Sequence, residues 1–168
     1  MLETFLHDFL TLLGYTVLNT PLTFAALLYA MIMLTSLFHE SGHALMARTL
    51  GTKVIAFVLG RPCLLSFSLG HTRFMLGPVP GGQVTYAYAD DAPRWKVTIA
   101  TLSGPLAELA GGIGVYLLAG DRPETWLYLA MVGMNTLCNF NPLSCRTDGH
   151  KIIKHLLAMR QGRRTLDA

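Results

Sequence analysis

The feature that most constrains this chain is a pair of histidines at the end of a long uncharged segment. Residues 39–43 read His-Glu-Ser-Gly-His, and the seventeen residues from Leu22 to Phe38 carry no charged side chain. On a helix, residues four apart share one face, so His39 and His43 can bind the same metal ion. Ionisable groups at hydrocarbon depth are costly and therefore indicate function. The pattern predicts a helix over 22–50 with a metal site near its C-terminal end.

The composition favours an integral membrane protein. Of 168 residues, 52% are hydrophobic and 14% are charged, whereas soluble domains carry roughly 25% charged residues. Two further apolar segments, at 95–119 and 123–141, predict two more membrane-spanning helices. No basic stretch carries interleaved aromatic residues, so we expect no nucleic-acid partner.

The distribution of basic residues predicts the topology. Of thirteen Lys and Arg residues, six lie between Arg48 and Lys96, six follow residue 145, and Arg122 lies between the two groups. The positive-inside rule then places the 48–96 loop and the C-terminal tail in the cytoplasm, with the N-terminus outside. Three crossings satisfy this pattern and put the metal motif near the cytoplasmic face.

The remaining segments predict smaller elements around this core. Residues 1–20 predict an amphipathic helix in the membrane interface, with a spanning helix over 2–18 left open, and 148–161 predict a basic interfacial helix. Short β-branched and aromatic runs over 53–88, punctuated by Gly and Pro, predict two β-hairpins. The expected fold class is therefore a single membrane α-helical domain over 1–168, with three transmembrane helices, a membrane-associated β-hairpin region between the first two, and amphipathic terminal helices.

The spacing of the motif indicates zinc chemistry. Zinc with three protein ligands and one open position lowers the pKa of its water to about 7, and Glu40 can accept the proton of that water as general base. A third ligand is needed. Asp148, predicted at the same depth as the motif, is the best candidate by topology. His150 and Glu108 are its rivals. Glu108, the only charge in 97–119, can instead face an aqueous cavity or pair with a nearby base.

Four motifs in order make this chain resemble the site-2 proteases, which are intramembrane zinc metalloproteases. The motifs are His39-to-His43, Gly-Pro-Val-Pro-Gly-Gly-Gln-Val at 77–84, Ser-Gly-Pro-Leu-Ala-Glu-Leu at 103–109, and Asn-Phe-Asn-Pro-Leu-Ser-Cys-Arg-Thr-Asp-Gly at 139–149. The resemblance implies one Zn²⁺ per chain, bound by His39, His43 and Asp148. It also implies an active-site Asn, which is Asn139 or Asn141 because five residues rather than the usual four separate Pro142 from Asp148.

The resemblance further implies the substrate and the setting. A zinc endopeptidase of this kind cleaves a single-pass membrane protein in or near its transmembrane segment, in the lipid bilayer of a bacterial or archaeal cell membrane, and a membrane regulatory partner is possible. The hairpins would bind the unwound substrate, with Gly81 and Gly82 allowing close backbone approach. The alternative is a plain cytoplasmic lid, in which the two glycines only turn the chain. The form is compact, without a PDZ or nucleotide-sensing domain. Two alternatives are a catalytically silent membrane scaffold of the same fold and a membrane-anchored metallopeptidase that acts on soluble peptides.

Overall fold

Four helices and four strands alternate in blocks along the described part of the chain. The computed structural model describes residues 7, 11, 14, 20–87, 93–144 and 147–164, the last four of these without their side chains. The interfacial or spanning helix predicted over 1–20 therefore falls almost entirely outside the described residues. The elements are α1 (Pro21–Thr49), β1 (Lys53–Arg61), β2 (Leu65–Leu69), β3 (Thr72–Leu76), β4 (Val79–Ala87), α2 (Arg94–Ala119), α3 (Pro123–Asn139) and α4 (Asp148–Arg164).

The strands form one mixed sheet in the order β2-β3-β1-β4. β2 and β3 make a hairpin around Gly70, but β1 pairs in parallel with β3 and antiparallel with β4. Only one of the two predicted hairpins is therefore present in the described sheet. β1 is one of the two inner strands, and its Val54 and Phe57 are buried, while β2 is exposed along its whole length. β4 lies at the edge of the sheet.

The expected three-span helical fold class is wrong. The described residues form a compact α/β fold, in which the mixed sheet packs against the helices. By length and composition, only α1 and α2 among the described helices could cross a membrane, with mean hydropathies of 1.8 and 1.4. α3 has 17 residues, fewer than the roughly 20 that a spanning helix needs. Two of its apolar residues, Tyr128 and Val132, instead pack inside, in a buried cluster with Met31 of α1.

The close contact of α1 with α2 positions the metal motif. A Cβ on Gly42 would lie 2.3 Å from the backbone oxygen of Ser103, so only glycine allows the two helices to approach this closely. The Ser103 hydroxyl donates to the Gly42 carbonyl at 2.9 Å and reinforces the crossing. Below it, Ala47 and Ala100 pack on Val54 of the sheet. The motif is thereby held between α2 and the sheet.

Candidate metal centre

Three side chains converge at the end of α1 nearest the sheet. His39 Nε2 lies 3.0 Å from Asp148 Oδ2, His43 Nε2 lies 3.1 Å from the same oxygen, and the two Nε2 atoms lie 3.1 Å apart. All three residues are buried. Two imidazoles come from successive turns of α1, and the carboxylate comes from the first residue of α4.

This donor set fits a zinc ion. Ligands about 2.0–2.2 Å from a tetrahedral zinc lie roughly 3.3–3.6 Å apart. The observed separations are only a few tenths of an ångström shorter, so a small outward movement would accommodate an ion. Two histidines and one carboxylate, with a fourth position open, are typical of catalytic rather than structural zinc. His39, His43 and Asp148 could therefore hold the metal, whereas His150, whose Nδ1 lies 3.0 Å from the Pro142 carbonyl, is outside the cluster.

The other ring nitrogens of both histidines have their own partners on α2. His43 Nδ1 lies 2.7 Å from the Ala100 carbonyl, and His39 Nδ1 lies 2.9 Å from Glu108 Oε2. An acceptor on Nδ1 places the proton there and leaves Nε2 free to ligate. A Cβ on Gly104 would lie 2.3 Å from the His43 ring, so this glycine makes room for the imidazole. α2 thus fixes the orientation of both rings.

Glu40 is buried beside the two histidines. Its side chain contacts strand β4 at Gly82, where a Cβ would lie 2.2 Å from Glu40 Cγ and 2.7 Å from Glu40 Oε1. The carboxylate therefore lies between the metal site and the edge strand. No side chain larger than hydrogen fits at residue 82 without moving Glu40 or β4.

Asp148 is held in place by the start of α4. Thr147 Oγ1 accepts a hydrogen bond from the His150 amide at 3.4 Å, as a helix N-cap does. A Cβ on Gly149 would lie 2.3 Å from the Phe140 carbonyl oxygen, so glycine allows α4 to begin directly against the end of α3. Lys151 Nζ donates to Asp148 Oδ1 at 2.9 Å. Burial opposes ionisation, but the close contacts of its carboxylate with the His39 and His43 imidazoles hold the pKa of Asp148 well below its ordinary value.

The metal site opens into a cavity of about 520 Å³. Its polar floor is formed by the three metal-binding side chains and Glu40, and one wall is strand β4. The lining residues outside the floor are Gly82, Gln83, Val84, Tyr86, Asn139 and Lys151. Glu40 and the three metal-binding side chains therefore face one shared cavity beside β4.

The structure distinguishes Asn139 from Asn141, the two candidates for the active-site Asn, and Gly82 from Gly81, the two candidates for substrate contact. Asn139 lines the cavity, whereas Asn141 is exposed outside it and accepts from the Leu143 amide at 2.9 Å. Gly82 lines the cavity beside Glu40, while Gly81 does not line it and has left-handed backbone with φ of 144°.

Sequence reasoning left the role of Glu108 open and missed Asn135 and Lys151. Glu108 is completely buried, and its carboxylate contacts the His39 ring instead of facing the cavity. Of the two roles expected for Glu108, pairing with a nearby base is therefore closer to the structure than facing an aqueous cavity. Asn135 donates to Glu108 Oε1 at 2.8 Å. The sequence feature that pointed to a functional role for Glu108 was its position as the single charged residue of an apolar segment. Lys151 follows Asp148 by three residues, a spacing that places both on one helix face.

These features define a class of protein before any comparison. Three convergent metal-binding side chains, an adjacent buried carboxylate and an open polar cavity constitute the site of a metal-dependent hydrolase. The sequence model of Peptidase family M50 matches residues 26–121. The chain belongs to this family, that of the site-2 proteases, which confirms the resemblance. No PDZ domain is present among the described residues.

A curated relative agrees with this assignment. The chain is 32% identical over 135 residues to a protein of Neisseria meningitidis serogroup A named "Putative zinc metalloprotease". The alignment covers 68% of this chain but 30% of the relative, so the chain spans less than a third of that protein's length. Family membership supports a zinc metalloprotease, and the cluster of His39, His43 and Asp148 supports zinc as the metal.

Proposed function

We propose that this chain is an intramembrane zinc metalloendopeptidase, which hydrolyses a peptide bond in or near the transmembrane segment of a single-pass membrane protein. One observation carries the proposal. The donor atoms of His39, His43 and Asp148 meet within hydrogen-bonding distance of one another, beside Glu40 and an edge strand, in a cavity of about 520 Å³.

The chain's own residues would divide the chemistry between them. When bound to His39, His43 and Asp148, zinc would polarise the scissile carbonyl and lower the pKa of water. Glu40 accepts a proton from the attacking water as its oxygen bonds to the carbonyl carbon. Glu40 then gives that proton to the amide nitrogen as the carbon–nitrogen bond breaks, leaving a carboxylate and an amine. Asn139, on the cavity wall, would hydrogen-bond the substrate near the reacting carbonyl.

Strand β4 would hold the substrate. A peptide bond inside a helix is inaccessible until the helix unwinds, and unwound backbone in lipid leaves costly unsatisfied amides. Within the described sheet, β4 is hydrogen-bonded to β1 on one side only, so its other edge could accept an added strand. Gly82, Gln83 and Val84 of β4 line the cavity. An extended substrate segment on this edge would pass directly over Glu40 and the metal.

The outward faces of the long helices support a membrane setting. Only 11% of the most apolar window of α1 is buried, although the core helix of a soluble protein is mostly buried. Large apolar side chains also point outward on α2, among them Leu106, Ile113 and Leu117. Basic residues cluster at the end where α1 stops and α2 begins. By the positive-inside rule, the metal site then lies near the cytoplasmic face, most simply of a bacterial or archaeal membrane.

The test compares two substrates that share one cleavable sequence. The purified chain is reconstituted with zinc in lipid vesicles and supplied with either a single-pass membrane protein or a soluble peptide of the same segment. We expect cleavage of the membrane substrate by the wild type and none by Glu40→Gln. Cleavage of the soluble peptide alone would indicate a membrane-anchored peptidase. Cleavage of neither, with zinc bound, would indicate a silent scaffold and contradict the proposal.

A further inference from the structure

The two metal-binding histidines have chemically different second partners. His43 Nδ1 meets a neutral acceptor, the Ala100 backbone carbonyl, at 2.7 Å. His39 Nδ1 meets a carboxylate oxygen of Glu108 at 2.9 Å. A carboxylate is a stronger acceptor than an amide carbonyl, because its charge strengthens the hydrogen bond. The two imidazoles are therefore unequal, although they occupy equivalent places in the motif.

Glu108 contacts the His39 ring and does not face the cavity. Its side chain is fully buried, it does not line the cavity, and it bonds the ring nitrogen that faces away from the metal. Its second oxygen accepts from Asn135 Nδ2 at 2.8 Å. Asn135 lies on α3, whereas Glu108 lies on α2 and His39 on α1. One hydrogen-bonded chain thus joins three helices and ends at the metal site.

A buried carboxylate is costly unless it is paired and hydrogen-bonded. Four ionisable groups besides the histidines matter here: Glu40, Glu108, Asp148 and Lys151. A divalent cation, together with the Lys151 ammonium, balances three carboxylates. A cation bound at His39 Nε2 would therefore offset the charge of the Glu108 carboxylate at Nδ1 of the same ring.

Resting on the proposed function, we infer that Glu108 is a positioning residue that sets the zinc affinity of the site through His39, with Asn135 as its support. Glu108 holds the Nδ1 proton, which fixes the tautomer and ring orientation and makes Nε2 a more basic ligand. Asn135 keeps the carboxylate from turning away from the ring. Neither residue touches the substrate or the metal.

The test measures zinc binding by the full chain, purified in detergent, in competition with a chromogenic chelator. Loss of a second partner of this kind weakens metal binding by about ten- to hundredfold. We expect Glu108→Gln, which keeps the shape and one acceptor oxygen, to bind zinc about tenfold more weakly. Glu108→Leu should bind it up to about a hundredfold more weakly. Glu124→Gln is the matched control, since Glu124 is exposed on α3, and it should bind as the wild type does.

Asn135→Ala provides a second test that leaves Glu108 in place. If Asn135 acts through Glu108, the affinity of the double variant with Glu108→Gln should equal that of Glu108→Gln alone, because the two changes act on one chain of contacts. The visible spectrum of the cobalt-substituted protein should also shift in Glu108→Gln and not in Glu124→Gln. A purely structural role would change the melting temperature without changing that spectrum. If Glu108→Leu fails to fold, the zinc affinities of Glu108→Gln and Asn135→Ala still test the inference.

The outcomes separate this inference from the proposed function. Wild-type zinc affinity in Glu108→Gln and Asn135→Ala, with membrane-substrate cleavage intact, would overturn the inference alone. Weakened zinc binding in both variants, in a protein that cleaves no membrane substrate, would support the inference and contradict the proposed function.

Discussion

A single methyl group at residue 82 tests whether activity depends on the position of Glu40 against strand β4. In Gly82→Ala, the new Cβ would lie 2.2 Å from Glu40 Cγ and 2.7 Å from Oε1. Non-bonded carbon atoms prefer about 3.5–4.0 Å, so Glu40 or β4 must move by roughly 1.3–1.8 Å. A displacement of about 1 Å at a reacting group can reduce the rate about a hundredfold.

We therefore expect Gly82→Ala to cleave a membrane substrate about a hundredfold more slowly while keeping its zinc. The metal should stay because the three atoms nearest to a Cβ at residue 82 all belong to Glu40 and none to the three ligands. Cleavage is followed by gel electrophoresis of the reconstituted protein, and bound zinc by elemental analysis. Gly114→Ala is the matched control, because a Cβ there meets nothing within 4 Å. A Gly82→Ala protein that cleaves at the wild-type rate would refute the placement of Glu40 against β4 as a requirement for activity.

Three further predictions test the site. Glu40→Gln keeps the metal site but loses the proton acceptor, so zinc content should match the wild type while cleavage falls at least about a hundredfold; normal cleavage would remove Glu40 from its role. Asp148→Ala should lose zinc and His150→Ala should keep it, as measured by metal content; the reverse result would move the third ligand to His150. Lys151→Met breaks the ion pair with Asp148, in which the lysine is half-exposed, and should weaken zinc binding at most about fivefold. Lys154→Met is the control and should bind zinc as the wild type does. A hundredfold loss in Lys151→Met would mean that Lys151 does more than orient Asp148.

The helices were predictable because their signals are local. Apolar runs bounded by Pro21, Pro123 and the Asn-Pro stretch at 141–142 mark helix starts and breaks, and the structure places each predicted helix end from residue 22 onward within three residues. Which helices could cross a membrane was not predictable from the apolar runs. Hydropathy measures the apolar content of a segment and does not distinguish side chains that face lipid from side chains that pack inside the protein. Tyr128 and Val132 of α3 pack inside.

The sheet order and the orientation of the histidines depend on partners far along the chain. Short Gly- and Pro-rich turns predict local hairpins, but the parallel pairing of β1 with β3 skips a strand and leaves no turn signal. The His39–Glu108 contact joins residues 69 apart. The metal motif itself was readable, since the spacing of four between His39 and His43 is a property of one helix.

The wide separation of the metal-binding residues in sequence has a consequence during biosynthesis. His39 and Asp148 are 109 residues apart, and the ribosome delivers them at different times. While α1 and the sheet emerge, the nascent chain carries two imidazoles whose orienting partners on α2 do not yet exist. Two ligands alone hold zinc weakly. A translating chain therefore cannot complete the cluster of His39, His43 and Asp148 until residue 148 has been made and α4 has docked.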